Sequence, residues 1–118
     1  MVASGPAPLE IEVTVDGDAT PDRATLVLRG EIDLATQGEL RQRFTDLIVE
    51  GRVHLVVDLT EVDFIDSTGL GVLIGARRRV HVLRGSLSIV GAGEEVMRVF
   101  EITGLHRVFD ISRASENA

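Results

Sequence analysis

The chain has 118 residues, a formal net charge of −7 and no cysteine. A chain of this length fits one domain, which buries roughly 65% of the surface of its unfolded state. Its hydrophobic fraction of 44% is typical of a folded protein rather than a disordered one. The missing cysteine excludes a disulfide framework, a thiolate zinc site and a cysteine nucleophile, and the acidic charge argues against direct binding of nucleic acid.

All 12 basic residues are arginines. The chain therefore lacks the lysine that a nucleotide-binding P-loop places on phosphates and the amine that Schiff-base chemistry needs. Residues 1–8 do not have the basic start and apolar run of a signal peptide, and no stretch reaches the ~18 apolar residues of a membrane span. We expect a cytoplasmic protein with no cofactor and no membrane contact.

The first two elements are predicted to be strands. In residues 9–15 apolar and polar side chains alternate, which is typical of a strand with one solvent-facing side. Asp16-Gly17-Asp18, followed by Pro21, has the residue types of a turn. Residues 25–29 then predict a second strand, which we expect to pair antiparallel with the first.

The rest of the chain alternates between helical and strand patterns. In residues 35–50 apolar side chains recur at three- and four-residue spacing, which predicts an amphipathic helix that Gly51 would end. Residues 53–59 are nearly all apolar, as expected of a strand buried on both faces.

Four more elements are expected after this strand, over residues 67–82 (helix), 87–90 (strand), 94–102 (helix) and 108–111 (short strand). The order ββαβαβα predicts an α/β domain with a mixed sheet of four to five strands and flanking helices.

This topology predicts where the loops meet. If strands two, three and four are parallel, right-handed crossovers bring the loops that follow them to one edge of the sheet. Those loops are residues 30–33, 58–67 and 91–93. Ligands and partners of open α/β sheets favour that edge. We therefore predict that Asp33 and Ser67 are neighbours.

Three residues of helix-capping type, Asp66, Ser67 and Thr68, stand immediately before the second predicted helix. An ordinary N-cap explains them. The first nine residues of the helix also contain three glycines, each of which costs about 1 kcal/mol relative to alanine. They are Gly69, Gly71 and Gly75. Such a cost suggests that another part of the backbone approaches the helix closely or that this surface is accessible. The start of a helix would also tolerate a phosphate.

Hydrolase and metal chemistry are poorly supported. Ser67 lacks the G-x-S-x-G sequence of a nucleophile elbow, and no motif ties His54, His81 or His106 to it, so these histidines are better explained as solvated or packing residues. The acidic residues between positions 58 and 66 are compatible with magnesium, but a solvated loop is the better explanation.

Charge is distributed unevenly along the chain. Residues 1–66 carry 5 Arg and 14 acidic residues, whereas residues 67–118 carry 7 Arg and 5 acidic residues. Arg77-Arg78-Arg79, with Arg84, would form a solvated face or a basic strip that meets an acidic partner.

Three segments resemble one family. GEIDLATQGELRQRF (30–44), VVDLTEVDFIDSTGLGVLIGARR (56–78) and RVFEITGLHRVFDIS (98–112) resemble the STAS family, and more closely its bacterial anti-sigma factor antagonists. The resemblance runs from about Leu9 to Ser112, which implies a STAS domain over 9–112 with loose termini at 1–8 and 113–118. Gly93 departs from the polar residue that is common before the third helix.

The resemblance implies a phosphorylation switch that controls transcription, as in a stress response, rather than an enzyme. Ser67 matches the serine that is phosphorylated by an anti-sigma factor with serine kinase activity, and Thr68 is a weaker candidate. A metal-dependent serine phosphatase would restore the unphosphorylated form. No catalytic or metal-binding residue is implied. The residues expected to contact the partner are Glu31, Asp33, Asp66, Ser67, Thr68, Gly69 and Leu70.

Other functions remain as alternatives. A structural or regulatory STAS module in a larger assembly, of the stressosome or transporter type, is the leading one. A small-molecule sensor that binds a nucleotide at the loop edge is disfavoured, because the chain has no phosphate loop and only four Phe as aromatic residues. An enzyme of unknown type ranks last.

Overall fold

Five strands form one mixed sheet whose spatial order follows the chain order. The computed structural model describes residues 9–15 and 20–114. The strands are β1 (Glu10–Val15), β2 (Arg23–Ile32), β3 (His54–Ile65), β4 (Ser86–Ala92) and β5 (Asp110–Arg113). β1 is antiparallel to β2, and every other neighbouring pair is parallel. The predicted α/β class and the antiparallel pairing of the first two strands are confirmed.

Three helices connect the parallel strands: α1 (Gln37–Val49), α2 (Ser67–Val82) and α3 (Glu94–Ile102). Because the strands follow one another in the same direction across the sheet, right-handed crossovers carry the helices over the same face. In β3 the buried side chains alternate with half-buried ones as far as Leu59, so one face of the strand lies in the core. Within the described residues, no helix is long and apolar enough to cross a membrane.

The other face of the sheet carries paired charges. Arg29 of β2 forms ion pairs with Glu12 of β1, at 3.1 Å, and with Glu61 of β3, at 3.0 Å. These contacts tie three neighbouring strands together on the side away from the core.

Strands β2 and β3 are longer than the sequence predicts. Residues 30–33 and 58–67 were expected to be loops, but β2 continues to Ile32 and β3 to Ile65. The ladder between them continues through register shifts on either side of Gly30, which has φ +117°. A bulge with glycine in the left-handed region lets two strands stay paired after a local irregularity. Within residues 91–93, Ala92 likewise still belongs to β4.

The helix boundaries agree with the sequence to within two residues. α1 begins at Gln37 rather than residue 35 and is followed at its C-terminus by Gly51, with φ +90°. α2 and α3 have the predicted bounds, and the cap residue Gly93 gives α3 no side-chain hydrogen bond.

The C-terminal end differs from prediction in two respects, the first being that the short strand expected at 108–111 lies at Asp110–Arg113. β5 extends through Arg113, whose side chain contacts Glu101, so the expectation of a loose terminus from residue 113 is wrong there. The predicted turn at 16–18 and the N-terminal residues 1–8 lie outside the described residues.

The glycines of α2 fall into two classes. A Cβ at Gly69 would lie 2.6 Å from Cγ2 and 2.9 Å from the carbonyl oxygen of Ile32, so the helix start packs directly against the end of β2. A Cβ at Gly71 or Gly75 would meet nothing within 4 Å. The sequence suggested either a close backbone approach or an accessible surface at these glycines. The close approach is confirmed at Gly69, and the accessible surface is confirmed at Gly71 and Gly75.

Alanine should separate these two classes. We expect Gly69→Ala to lower the free energy of unfolding by about 1–3 kcal/mol, because its methyl group would clash with the backbone of β2. Gly71→Ala, the matched control in the same helix, should raise stability by up to about 1 kcal/mol through helix propensity. Urea unfolding of both variants measures the difference, and equal effects would contradict the packing role of Gly69.

Candidate functional site

The ends of β2 and β3 meet at the carboxyl edge of the sheet. Glu31 pairs with Phe64 and Ile32 with Ile65 in the parallel ladder. The backbone N–H of Asp66 then donates to the carbonyl oxygen of Ile32 at 3.1 Å. The segments that begin with Asp33 and Ser67 therefore leave the sheet side by side, as the topology predicts.

Asp66 caps α2 with its side chain. Its Oδ1 accepts hydrogen bonds from the backbone N–H groups of Thr68 (2.9 Å) and Gly69 (3.0 Å) and from the Thr68 hydroxyl (2.5 Å). The backbone N–H of Leu34 also lies near this carboxylate and favours its charged form. The ordinary N-cap interpretation is thus confirmed for Asp66.

The carboxylate of Asp66 is held in its charged form. Its partial burial by itself would raise the pKa, but the hydrogen bonds from Thr68 and Gly69, together with the nearby N–H of Leu34, outweigh this effect and lower the pKa from its ordinary value of 3.8. A fixed negative charge therefore stands directly before Ser67 at neutral pH.

Ser67 and Thr68 differ in how accessible their hydroxyl groups are. Ser67 is exposed at the first position of α2, and no partner for its hydroxyl is found in residues 9–15 or 20–114. Thr68 is half-buried and donates its hydroxyl to Asp66. An incoming enzyme would reach the Ser67 hydroxyl without first breaking a hydrogen bond within the chain.

Two of the expected contact residues lie in the core. Leu70 is 5% exposed and packs with the buried cluster, and Gly69 is buried against Ile32. Both positions seat α2 on the sheet, and their contact with a partner stays a prediction.

Asp33 organises the loop between β2 and α1. Its Oδ1 accepts hydrogen bonds from the backbone N–H groups of Ala35 (2.9 Å) and Thr36 (3.1 Å). The Thr36 hydroxyl, which is buried, donates to the carbonyl oxygen of Glu31 at 2.9 Å. Asp33 therefore holds the loop before α1 in its conformation. The exposed residues beside it are Glu31 and Leu34, and Leu34 is 71% exposed.

Sequence reasoning did not single out Leu34 or Thr36. The signal for Thr36 is its place three residues after Asp33, a spacing that lets aspartate and threonine side chains close a turn before a helix. The exposure of Leu34 follows from that turn rather than from any local pattern.

The histidines are not linked to Ser67. His54 lies at the opposite end of β3, where its Nδ1 is 2.9 Å from the Ser86 hydroxyl. His106 lies near the carbonyl oxygen of Phe100. The part of the chain that the structure describes contains no group of three or more His, Asp or Glu residues placed to hold a metal ion.

The arginines of α2 diverge. The guanidinium of Arg77 lies 6.0 Å from the centre of the Phe109 ring, whereas Arg79 donates to the Thr45 hydroxyl at 3.0 Å on α1. Arg78 and Arg84 are exposed, and Arg84 follows the end of the helix. A continuous basic strip is therefore wrong, because residues two apart on a helix point about 200° from one another.

The cap formed by Asp66 predicts a pH dependence. We expect Asp66→Ala to lower the free energy of unfolding by about 0.5–2 kcal/mol at pH 7. Since the folded-state pKa is lowered, the contribution of Asp66 is present above about pH 4 and is lost as the pH falls through the folded pKa. Urea unfolding at pH 7 and pH 3 should show the difference shrinking, whereas Asp63→Ala, which removes an exposed carboxylate, should change little. A deficit of equal size at both pH values would contradict the charge-based cap.

Comparison with known proteins identifies the family. A family model of the STAS domain matches residues 10–118. The anti-sigma-B factor antagonist of Bacillus subtilis is 35% identical over 106 residues, which are 90% of this chain and 96% of that protein. The protein of the same name from Listeria monocytogenes is 36% identical over 90 residues, 76% of this chain and 79% of that protein.

A solved structure gives the same result. The crystal structure of an anti-sigma factor antagonist from Mycobacterium paratuberculosis superimposes with a TM-score of 0.78 at 27% identity, covering 92% of this chain and 89% of that one. The resemblance inferred from the motifs is thereby confirmed, and this chain belongs to the STAS domain family, where it is similar over most of its length to anti-sigma factor antagonists.

Proposed function

We propose that this chain is an anti-sigma factor antagonist. In its unphosphorylated form it binds an anti-sigma factor that is also a serine kinase, and this binding frees a sigma factor. Relatives that are about one third identical over most of the chain carry the name of antagonist. The observation that carries the proposal is the exposed Ser67 hydroxyl, set between the anchored side chains of Asp66 and Thr68.

The kinase phosphorylates Ser67 in preference to Thr68. Phosphoryl transfer requires the attacking hydroxyl to lie in line with the nucleotide phosphate. The Ser67 hydroxyl is exposed, whereas the Thr68 hydroxyl would have to leave its hydrogen bond to Asp66 and turn outward. The chain is thus a substrate and a binding switch and performs no catalysis.

Phosphorylation switches off binding through charge and bulk. A phosphate on Ser67 adds about −1.5 to −2 charge next to the fixed carboxylate of Asp66. A docking surface that covers a neutral hydroxyl would have to bury this charge, which commonly costs several kcal/mol. At 1.4 kcal/mol per factor of ten, about 3 kcal/mol weakens binding roughly a hundredfold. A metal-dependent serine phosphatase restores the binding form.

Phosphate mapping tests the site. We expect incubation with ATP and the cognate anti-sigma kinase to add one phosphate, which peptide mapping after intact-mass measurement locates on Ser67. Ser67→Ala should take none, and Thr68→Val, the matched control, should still take one. A phosphate that remains on the Ser67→Ala variant would contradict the assignment.

Binding measurements test the switch separately. Ser67→Ala should bind the anti-sigma factor as the wild type does, whereas Ser67→Glu should bind at least about tenfold more weakly, since it places a charge where the hydroxyl docks. Isothermal titration calorimetry measures both affinities, and circular dichroism checks that both variants fold. Equal affinities would rule out charge at Ser67 as the cause of release.

Asp33→Ala tests the loop before α1. Loss of the hydrogen bonds to Ala35 and Thr36 should displace Leu34 and reduce binding or the phosphorylation rate without unfolding the chain. Asp46→Ala, which removes an exposed carboxylate on α1 that accepts from Gln42, is the control. Unchanged kinetics in Asp33→Ala would remove this loop from the site.

The same experiments address the alternative function. A stable complex without phosphorylation would indicate an antagonist that works without the switch. If neither a complex nor a phosphate formed with any anti-sigma kinase of the source organism, a structural or regulatory STAS module in a larger assembly would be the better explanation.

A further inference from the structure

A groove lies between the end of β3 and the first turns of α3. Asp63 and Phe64 form one wall, Glu95 and Arg98 form the other, and Val96 and Val99 contribute to the apolar lining. The cavity volume is about 230 Å³, below the roughly 300–1,000 Å³ of pockets that hold small molecules. A groove of this size suits one or two side chains of another protein.

Phe64 is the unusual residue in this groove. The other three phenylalanines, Phe44, Phe100 and Phe109, are buried, whereas Phe64 is 49% exposed. An aromatic side chain left half in water beside apolar groups is a typical anchor point of protein interfaces. Nothing in the packing of β3 requires an aromatic residue there, because the neighbouring Ile65 fills the core.

The rim of the groove carries three carboxylates and one guanidinium, that of Arg98, so its net charge is negative. Asp63 and Glu95 are exposed, and a second depression that shares both of them adds Glu94. In the described ranges, none of these three carboxylates takes part in an ion pair. Glu94 and Glu95 favour the start of α3 through the helix dipole, but that effect explains neither Asp63 nor the exposed ring of Phe64.

The groove is continuous with the surface around Ser67. Phe64 lies opposite Glu31 in the sheet, and it precedes Ser67 by three residues, so the two Cα atoms are at most about 11 Å apart. A protein interface of ordinary size, about 800 Å² on each partner, is wide enough to cover both. A partner centred on Ser67 therefore has this groove within its reach.

We infer that the groove binds a basic segment of the anti-sigma kinase, in which a large apolar side chain packs on Phe64 and flanking Lys or Arg residues pair with Asp63, Glu94 and Glu95. The inference rests on the proposed function. Unpaired carboxylates around an apolar floor are complementary to such a segment. They repel nucleic acid and anionic lipid surfaces, and they disfavour a second copy of this chain, whose net charge is −7.

The experiment uses the full chain and the anti-sigma kinase that modifies Ser67 in the mapping experiment above. We expect Phe64→Ala to weaken binding at least about tenfold while leaving the phosphorylation rate at saturating kinase unchanged. Ile102→Ala, an equally drastic truncation at an exposed position at the far end of α3, should bind as the wild type does. Equal affinities of these two variants, with Ser67 still phosphorylated, would overturn the groove but leave the proposed function intact.

The charge of the occupant is tested with a second variant. Asp63→Asn combined with Glu95→Gln should lower the association rate about tenfold at low ionic strength, and this difference should fade as salt screens the charges. Glu50→Gln, which removes a carboxylate at the opposite edge of the sheet, should have no such effect. An effect of Glu50→Gln as large as that of the double variant would overturn the basic occupant.

Two further outcomes would also overturn the inference. If sedimentation showed a wild-type dimer that Phe64→Ala dissociates, a second copy of this chain would be the occupant. If the wild-type chain were neither bound nor phosphorylated by any anti-sigma kinase, the proposed function would fail, and this inference would fail with it.

Discussion

The candidate site depends on the hydrogen bonds of one residue, Asp66. Its backbone N–H donates to the carbonyl oxygen of Ile32, and its carboxylate accepts hydrogen bonds from the first turn of α2. The close packing of Gly69 on Ile32 closes the same junction. Together these contacts fix the end of β2, the end of β3 and the start of α2 relative to one another, so Ser67 projects from a rigid position.

This junction also determines where a phosphate on Ser67 would lie. Helix N-termini bind phosphate through free backbone N–H groups, but those of Thr68 and Gly69 already donate to Asp66. A phosphate on Ser67 would therefore extend into solvent rather than fold back onto α2. The fold should change little if Ser67 is phosphorylated, and the effect of the modification would fall on the proposed partner.

Periodicity predicted the helices well because their apolar side chains recur every three or four residues. The capping role of Asp66 followed from its residue type alone. The last residues of β2 and β3 were missed, because Gly30 and the polar residues Thr60, Glu61 and Asp63 have the composition of loops. Only pairing between distant segments keeps them in the sheet. The exposure of Leu34 depends on hydrogen bonds within a turn. Neither effect leaves a periodic pattern in the sequence.

If the partner's segment at the groove is basic, long-range charge repulsion cannot explain why the partner would release the phosphorylated chain. A phosphate on Ser67 would attract such a segment from a distance, and screening limits that attraction to about 10 Å. The unfavourable contribution must then come from direct contact at Ser67 itself. In the proposed complex, the kinase surface that faces this hydroxyl would hold the phosphates of its nucleotide, so after transfer two anionic groups would oppose each other at short range. The acidic groove would then accelerate encounter, whereas the charge at Ser67 would determine how long the complex lasts.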